Sequence, residues 1–405
     1  MQTIIIIKEL TKSSARIAWA VSPMGLGQSA ILVFLPLLVA HTHLGYGDWA
    51  QLFALGMLSH VIGSVAWPLL LPRWGHRRPL LLGLLGYSAS MLLFAVMLWL
   101  QSQDQITDRW ATLGFAASRL LYGAFASALL PLTQSWCADI STHDQRLQSF
   151  SGISLQLALS RAMGPVLAGL LGWIHWLLLP VVLAIWPLLL TIWLMPLPEP
   201  TASVTSNATH PTHKRFGLLS VKGLLPPFWL GLIALLTTAF ASSLQFQLSP
   251  ALEFLSGKTA QAVSLMLAMV MVVAALLSVL AHKMQMRMPP SNPQLRMLWI
   301  SALLMAGSFG LLLSDSTALF IMMALIISMG LAWLTPLYSA QLSLHQTQQH
   351  LVAAQLSLAH ISGHLLGLCI TALAISQALQ CVYIWLIMLA ALIGIASLSK
   401  SVQAP

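Results

Sequence analysis

Long runs of apolar residues, separated by short polar breaks, follow one another along the whole chain. A helix needs about 20 mostly apolar residues to cross the hydrocarbon core of a bilayer. Transmembrane barrels show short alternating segments instead of long leucine-rich blocks. The pattern therefore predicts an all-α membrane protein with twelve transmembrane helices. The predicted spans are residues 17–40, 49–71, 79–100, 110–136, 149–172, 175–196, 225–249, 259–282, 296–314, 317–340, 351–376 and 379–399.

The composition supports a membrane protein. Of the 405 residues, 58% are hydrophobic and 7% are charged, and the mean hydropathy of +0.85 lies outside the range of soluble globular proteins. The apolar stretch before Lys8 is too short for the core of a signal peptide, so the first span is expected to be retained. Cys137, Cys369 and Cys381 lie on or near different predicted helices and form neither a disulfide framework nor a metal-binding motif. No cofactor is expected.

The net charge of +9 is distributed unevenly over the two predicted faces of the membrane. One face holds only Arg109 and Lys258. The other face, which holds both termini, carries Lys8, Lys12, Arg16, Arg73, Arg77, Arg78, Arg146, Lys214, Arg215, Lys222, Lys283, Arg287, Arg296 and Lys400. The positive-inside rule then predicts a multi-pass protein of the bacterial inner (plasma) membrane, in contact with the lipid bilayer and with both termini in the cytoplasm. No nucleic-acid partner is indicated.

The longest polar break, Leu197 to Gly223, is rich in Pro, Ser and Thr and is interpreted as a cytoplasmic linker. The predicted domains are an N-terminal six-helix bundle at 1–197, the linker at 198–223 and a C-terminal six-helix bundle at 224–405. The two halves show an internal sequence repeat: LQLALSRAMG, which ends at Gly164, is similar to AQLSLAHISG, which ends at Gly363. Two pseudo-symmetric halves around a midplane site are typical of secondary transporters.

Three stretches of the N-terminal half carry recognisable motifs. In PLLLPRWGHRR, which begins at Pro68, Arg73, Gly75 and Arg77 match a Gly-x-Leu-x-Asp-Arg-x-Gly-Arg-Lys pattern, although Pro replaces the acid. The fourth span contains SRLLYG, similar to an Arg-x-x-x-Gly pattern. The fifth span contains SRAMGPVLAG, similar to Gly-x-x-x-Gly-Pro-x-x-Gly-Gly; the matching residues are Gly164, Pro165 and Gly169.

These motifs resemble those of the major facilitator superfamily, in particular its twelve-helix drug:proton antiporter branch. The resemblance implies the major facilitator fold and proton-coupled transport. It also implies that the loops around Arg73, Gly75 and Arg77 and around ADISTHDQR, which holds Asp139 and Arg146, act in gating. In that family Asp139 would pair with Arg73 or Arg77, and the motif that contains Arg119 is associated with proton coupling.

The Gly-Pro motif also has a direct physical interpretation. Ser160, Gly164 and Ala168 are spaced four apart on one helix face, so a neighbouring backbone can approach closely. Pro165 removes a backbone donor and bends the helix. Both a moving hinge and a static packing kink agree with this pattern.

Two arginines lie deep inside predicted spans. Each costs about 2.5–3.5 kcal/mol at a helix centre if it stays unpaired, and Arg119 and Arg161 are expected at similar depths of about 14 Å and 16 Å. All nine acidic residues fall in loops or at helix ends. Arginine without a central acid favours an anionic or strongly hydrogen-bonding cargo, such as an organic acid or a carboxylate siderophore. Alternatively, each arginine caps backbone carbonyls or holds a buried water.

Histidines are the candidates for proton coupling because histidine titrates between pH 5 and 8. His60 lies in the second span, and His360 and His364 lie one turn apart in the eleventh, with His360 as the repeat partner of Arg161. Buried core histidines without a coupling role remain the alternative. The polar residues Gln28, Gln245, Gln247 and Gln355 are candidates for hydrogen bonds to the cargo. The His360/His364 pair and MQMRM have no supporting metal ligands nearby, so no metal site is expected.

Together these features predict a transporter that exports a small anionic or polar metabolite, or drugs, by proton antiport and alternating access. It is expected to act as a monomer, with a small-molecule substrate and protons as the coupling ion. An uptake symporter of the same fold is the first alternative. A membrane-embedded lipid-modifying enzyme is less favoured, because the thirteen histidines are scattered instead of clustered.

Overall fold

The structure is a computed structural model of the chain. It describes residues 13–141, 143–197, 228–287, 292–345 and 349–399. The predicted linker at 198–223 lies outside these ranges, and so do the side chains of Arg73 and Arg146.

The described residues form twelve α-helices and no strand, which confirms the all-α prediction. A helical stretch from Ser13 and a short 3₁₀ turn at Trp19–Val21 precede α1. The helices are α1 Ser22–His41, α2 Tyr46–Trp74, α3 Arg77–Ser102, α4 Asp108–Ile140, α5 His143–Ile174, α6 Leu178–Leu194, α7 Phe228–Ser256, α8 Ala260–Arg287, α9 Pro293–Leu312, α10 Thr317–His345, α11 Gln349–Gln377 and α12 Leu379–Ser397. Each predicted span coincides with one of them.

Within the described part of the chain, eleven helices are long and apolar enough to cross a membrane. The exception is α6, which is apolar but has only 17 residues. The helices also extend further into the polar breaks than hydropathy predicts. The expected loop from Ala138 to Arg146 shortens to a break between Ile140 and His143, because backbone hydrogen bonds hold a helix together whether its side chains are apolar or charged.

The turn between α2 and α3 depends on a glycine. Gly75 has φ 68°, a left-handed conformation that a residue with a Cβ adopts only with strain. This turn brings the start of α3, at Arg77, directly after the end of α2, at Trp74. The positive φ of this turn therefore explains why the loop motif has a glycine at position 75.

The chain divides into two compact units, the first with residues 1–43 and 58–212, the second with 44–57 and 213–405. The beginning of α2 thus belongs to the second unit. There the Phe53 ring lies 6.0 Å from that of Phe246, and the Tyr46 hydroxyl donates to the Glu253 carboxylate. The domain boundaries at 197 and 224 stay a prediction.

The same helix pairs form the core of each unit. In the first unit α1 packs on α5, α3 on α4 and α3 on α6. In the second unit α7 packs on α11, α9 on α10 and α9 on α12. The corresponding elements of the two halves therefore pack on corresponding partners.

Candidate functional site

Helix α5 presents three different faces. Ile153, Gln156, Ser160 and Ala168 are buried. A second face is exposed and purely apolar, with Leu155, Leu159, Met163, Val166 and Leu170. Arg161 is also exposed, but at 3.6 residues per turn it points roughly 160° away from the centre of the leucine face. An apolar face suits lipid tails and a guanidinium does not, so Arg161 lies on a separate, polar side of the helix.

The buried face of α5 packs closely on α1. A Cβ added at Gly164 would lie 2.7 Å from the Leu26 carbonyl oxygen, and one at Gly25 would lie 2.8 Å from the Ser160 Cβ. Such distances leave no room for a side chain. Pro165 lies inside α5, and Gly169 is buried one turn further along. The small residues of the Gly-Pro motif thus bring the backbones of α1 and α5 together beside Arg161.

The structure separates the roles of the two membrane arginines. Arg119 is buried on α4, with 3% of its surface exposed, and its guanidinium carbon lies 4.4 Å from the Phe94 ring centroid and 5.4 Å from that of Tyr122. Its Nε and Nη2 each lie 3.4 Å from the Ser118 hydroxyl. Aromatic faces stabilise a desolvated cation. Arg119 is therefore embedded in the protein, whereas Arg161 is accessible.

Arg161 reaches across to α1. Its Nη2 donates to Gln28 Oε1 at 3.3 Å, and the Gln28 side chain in turn interacts with the Tyr122 hydroxyl. Tyr122 also lies within electrostatic range of both guanidinium groups. Arg119, Tyr122, Gln28 and Arg161 therefore form one connected polar group, which we call the arginine cluster. Sequence reasoning found three of its members.

Tyr122 and Tyr87 are candidate site residues that sequence reasoning missed. Their rings meet edge to face at 5.4 Å, and the Tyr87 hydroxyl donates to the Pro23 carbonyl of α1 at 2.8 Å. Tyr122 follows Arg119 by three residues, so both lie on one side of α4. That spacing within SRLLYG was the available signal, but aromatic residues are so common in apolar helices that it carries little weight alone.

The described contacts of the two arginines are with neutral groups. The ion pairs among the described residues are His43–Asp108 at 3.5 Å and His76–Asp139 at 3.2 Å. Glu253 lies near the end of α7, where it accepts from Tyr46. The arginine cluster thus combines two guanidinium groups with a phenol and an amide.

The candidate coupling histidines are divided between the two units. His60 is buried in the first unit, and its Nδ1 has no hydrogen-bond partner among the described residues. His360 and His364 belong to the second unit. The His360 Nε2 lies 2.8 Å from the Tyr338 hydroxyl of α10, and the His364 carbonyl accepts from Ser242 of α7.

The expected glutamine hydrogen-bonders also lie in different environments. Gln245 is exposed on α7, whereas Gln247 on the same helix and Gln355 on α11 are buried. No group of three or more potential metal-binding side chains was found within the described ranges.

The described contacts of the loop motif include pairs other than those the resemblance implies, while a pairing of Asp139 with Arg73 stays a prediction because the Arg73 side chain lies outside the described residues. The described partners of Asp139 include the His76 imidazole, which also lies 3.0 Å from the Ser135 hydroxyl. Arg77 instead donates from Nη1 to the carbonyls of Met195 and Leu197, each at 3.3 Å. The reason is geometric, because Arg77 opens α3, which packs on α6 and so reaches the carbonyls at the end of that helix.

Comparison with known proteins adds independent information. Residues 17–368 match the family model described as Major Facilitator Superfamily. Over 126 residues the chain is 29% identical to the MFS-type transporter avaJ of Aspergillus versicolor, an alignment that covers 30% of this chain and only 24% of that protein.

Three similar solved structures are transporters. A bacterial homologue of the human lysosomal transporter Spinster, in an inward-facing and occupied conformation, superimposes with a TM-score of 0.73 at 14% identity, covering 96% of this chain and 97% of that one. A D-xylose–proton symporter gives 0.68 at 12% identity, with 96% and 97% covered. The nucleoside transporter NupG gives 0.65 at 12% identity, with 96% and 98% covered. At these identities the likeness shows the fold.

Proposed function

The chain belongs to the major facilitator superfamily, and from this premise we propose that it is a secondary active transporter that exports a small anionic or polar metabolite in exchange for protons. A carboxylate-rich siderophore or another organic acid fits this class. Transport would proceed by alternating access between the two halves, as in transporters built from structural repeats. The proposed location is the bacterial inner membrane, with both termini cytoplasmic and the monomer as the working unit.

The observation that carries the proposal is the accessible guanidinium of Arg161. It makes a single described hydrogen bond, to Gln28, which leaves most of its donors available. A guanidinium binds a carboxylate through two parallel N–H donors, and this geometry is specific as well as strong. The Gln28 amide and the Tyr122 hydroxyl next to it supply further hydrogen bonds for a hydroxylated acid. A cationic cargo would meet repulsion from both arginines.

The test compares Arg161→Ala with the wild type. Mass spectrometry compares the culture media of the wild type, a deletion strain and the deletion strain with the gene restored. The metabolites of interest are anions that are missing from the medium of the deletion strain and present in the other two. Arg161→Ala is expected to lower their export at least tenfold at unchanged protein level, because a charge-assisted hydrogen bond contributes about 1.5–3 kcal/mol. Arg109→Ala, which removes an exposed arginine at the start of α4, serves as the matched control. Unchanged export by Arg161→Ala would reject the proposed role.

For proton coupling we propose His360. The Tyr338 hydroxyl lies within hydrogen-bonding distance of its imidazole, a relay of two groups that can each give and accept a proton. His60 and His364 are the other candidates. In sealed vesicles, His360→Gln is expected to retain exchange of the metabolite down its own gradient and to lose the acceleration by a pH gradient.

The direction of transport distinguishes the proposed exporter from an uptake symporter. The Gly-Pro motif resembles that of exporters, whereas a proton symporter shares the fold. Accumulation of the metabolite inside the deletion strain supports export, and its depletion there supports uptake. Turnover of a lipid by purified protein without vesicles would instead support the enzyme alternative.

A further inference from the structure

Two arginines from other elements meet at the C-terminal end of α6. Arg16 Nη2 donates to the Trp193 carbonyl at 2.5 Å, and its guanidinium carbon lies 4.8 Å from the Trp193 ring centroid. Arg77 donates to the carbonyls of Met195 and Leu197. The Trp193 carbonyl belongs to the last turn of α6, and the Met195 and Leu197 carbonyls follow its end at Leu194. A helix leaves the acceptors of its last turn without intrahelical partners. The guanidinium groups satisfy them and also complement the negative end of the helix dipole.

Among the described side chains, no acidic group pairs with the positive charge of these arginines. Each described hydrogen bond of Arg16 and Arg77 uses one nitrogen of a guanidinium that has five N–H donors. Arg78, the next residue of α3, is exposed and adds a third charge. The ion pairs between described side chains include none of these three arginines. The first turn of α3 contains no acidic residue either.

The surface around the arginines has the character of a membrane interface. Trp19, Trp74 and Trp193 have 40%, 43% and 40% of their surface exposed. Exposed tryptophans concentrate at the headgroup level of membrane proteins. Helix α6 is 17 residues long, about 26 Å, which is slightly less than the hydrocarbon thickness of about 30 Å. We therefore expect its last carbonyls near the boundary between acyl chains and headgroups.

We propose that Arg16, Arg77 and Arg78 bind the phosphate of an anionic phospholipid headgroup at the end of α6. The neighbouring Ile192 and Met195 are 70% and 62% exposed, so they offer apolar surface to an acyl chain. A ligand that carries both a phosphate and an acyl chain matches both parts of this surface, whereas free phosphate matches only the arginines. The site is independent of the arginine cluster and of the transported substrate.

The test uses the purified full-length protein in a neutral detergent. Binding of phosphatidylglycerol is measured by native mass spectrometry and by the shift in thermal unfolding, with phosphatidylcholine and inorganic phosphate as separate arms. Arg78→Gln is expected to weaken phosphatidylglycerol binding about fivefold, and Arg77→Gln with Arg78→Gln about 25-fold, because each basic side chain near an anionic lipid surface contributes similarly. Arg109→Gln is the charge-matched control and is expected to bind as the wild type does.

Arg78 is exposed and makes no described contact, so its replacement keeps the fold even where the loss of Arg77 does not. Selective loss of phosphatidylglycerol binding in Arg78→Gln supports the site. Equal weakening in Arg109→Gln would overturn it in favour of diffuse charge attraction. Binding of phosphatidylcholine at the same affinity, or of inorganic phosphate as tightly as the lipid, would overturn it as well.

Discussion

Two corresponding helix pairs, α1 with α5 and α7 with α11, have the same packing and different chemistry. In the first pair Gly164 lies against Ser29 and the Leu26 carbonyl, and in the second Gly363 lies against Thr238 and the Leu235 carbonyl. Each partner hydroxyl bonds back to its own helix, Ser29 to the Gly25 carbonyl at 3.0 Å and Thr238 to the Ala234 carbonyl at 2.9 Å. The backbone contact is thus built twice in the same way.

The polar positions beside these glycines differ between the pairs. Three residues before Gly164 stands Arg161, which is exposed and bonded to Gln28 of α1. Three residues before Gly363 stands His360, which is half-buried and lies against Tyr338 of α10. One half therefore offers a permanent positive charge and the other a titrating ring. The two halves therefore share the backbone contact at Gly164 and Gly363 but differ in the polar residue beside it. Anion binding is proposed for Arg161 of the first half and proton transfer for His360 of the second.

Breaking the shared packing gives the largest expected effect. Gly164→Leu and Gly363→Leu each force a side chain into a neighbouring backbone, so each is expected to lower the free energy of unfolding by about 1–3 kcal/mol or more and to abolish transport. Thermal unfolding and transport in vesicles measure both effects. Gly152→Ala on α5 is the control, because a Cβ there meets nothing within 4 Å. A Gly164→Leu protein with normal stability and transport would contradict the close contact.

The second largest effect is expected when the charged side chain at position 161 is replaced and the glycine contact is kept. Arg161→His puts the residue of the second half into the first. Its imidazole carries positive charge only when protonated, so export is expected to fall roughly tenfold or more at pH 8 and to recover towards pH 5.5. Initial rates in vesicles with equal pH on both sides measure this dependence, and Arg161→Lys, whose positive charge stays constant between pH 5.5 and 8, is the reference. A flat pH profile for Arg161→His at wild-type rate would show that charge at this position is irrelevant.

Removing one hydroxyl from the arginine cluster gives the smallest effect. Tyr122→Phe keeps the ring next to Arg119 and loses the interaction with Gln28. A net hydrogen bond contributes about 0.5–1.5 kcal/mol, so the KM for the metabolite is expected to rise roughly two- to tenfold at nearly unchanged stability. Tyr87→Phe is the comparison, since the Tyr87 hydroxyl bonds to a backbone carbonyl of α1 and its loss is expected to affect stability more than KM.

Particular residues show which features could be predicted from the sequence and which could not. Repeated apolar runs identify every helix, because the length of a transmembrane helix follows from bilayer thickness. The four-residue spacing of Ser160, Gly164 and Ala168 predicts the close face of α5, because helical periodicity is local. The expected pairing of Asp139 with Arg73 or Arg77 rested on a family pattern whose acidic residue is replaced in this chain by Pro72. The contact of Asp139 with His76 and the contacts of Arg77 with α6 came only from the packed helices.

The sequence by itself determined the membrane class, the helix count, the echo between the halves and the presence of deep arginines without a central acid. Those properties follow from composition and local periodicity. Only the tertiary structure decided that Arg119 is enclosed by aromatic rings while Arg161 stays accessible, and that Tyr122 and Gln28 lie between them. The accessibility of a charge depends on side chains from several helices at once, and no local pattern encodes which helices those are.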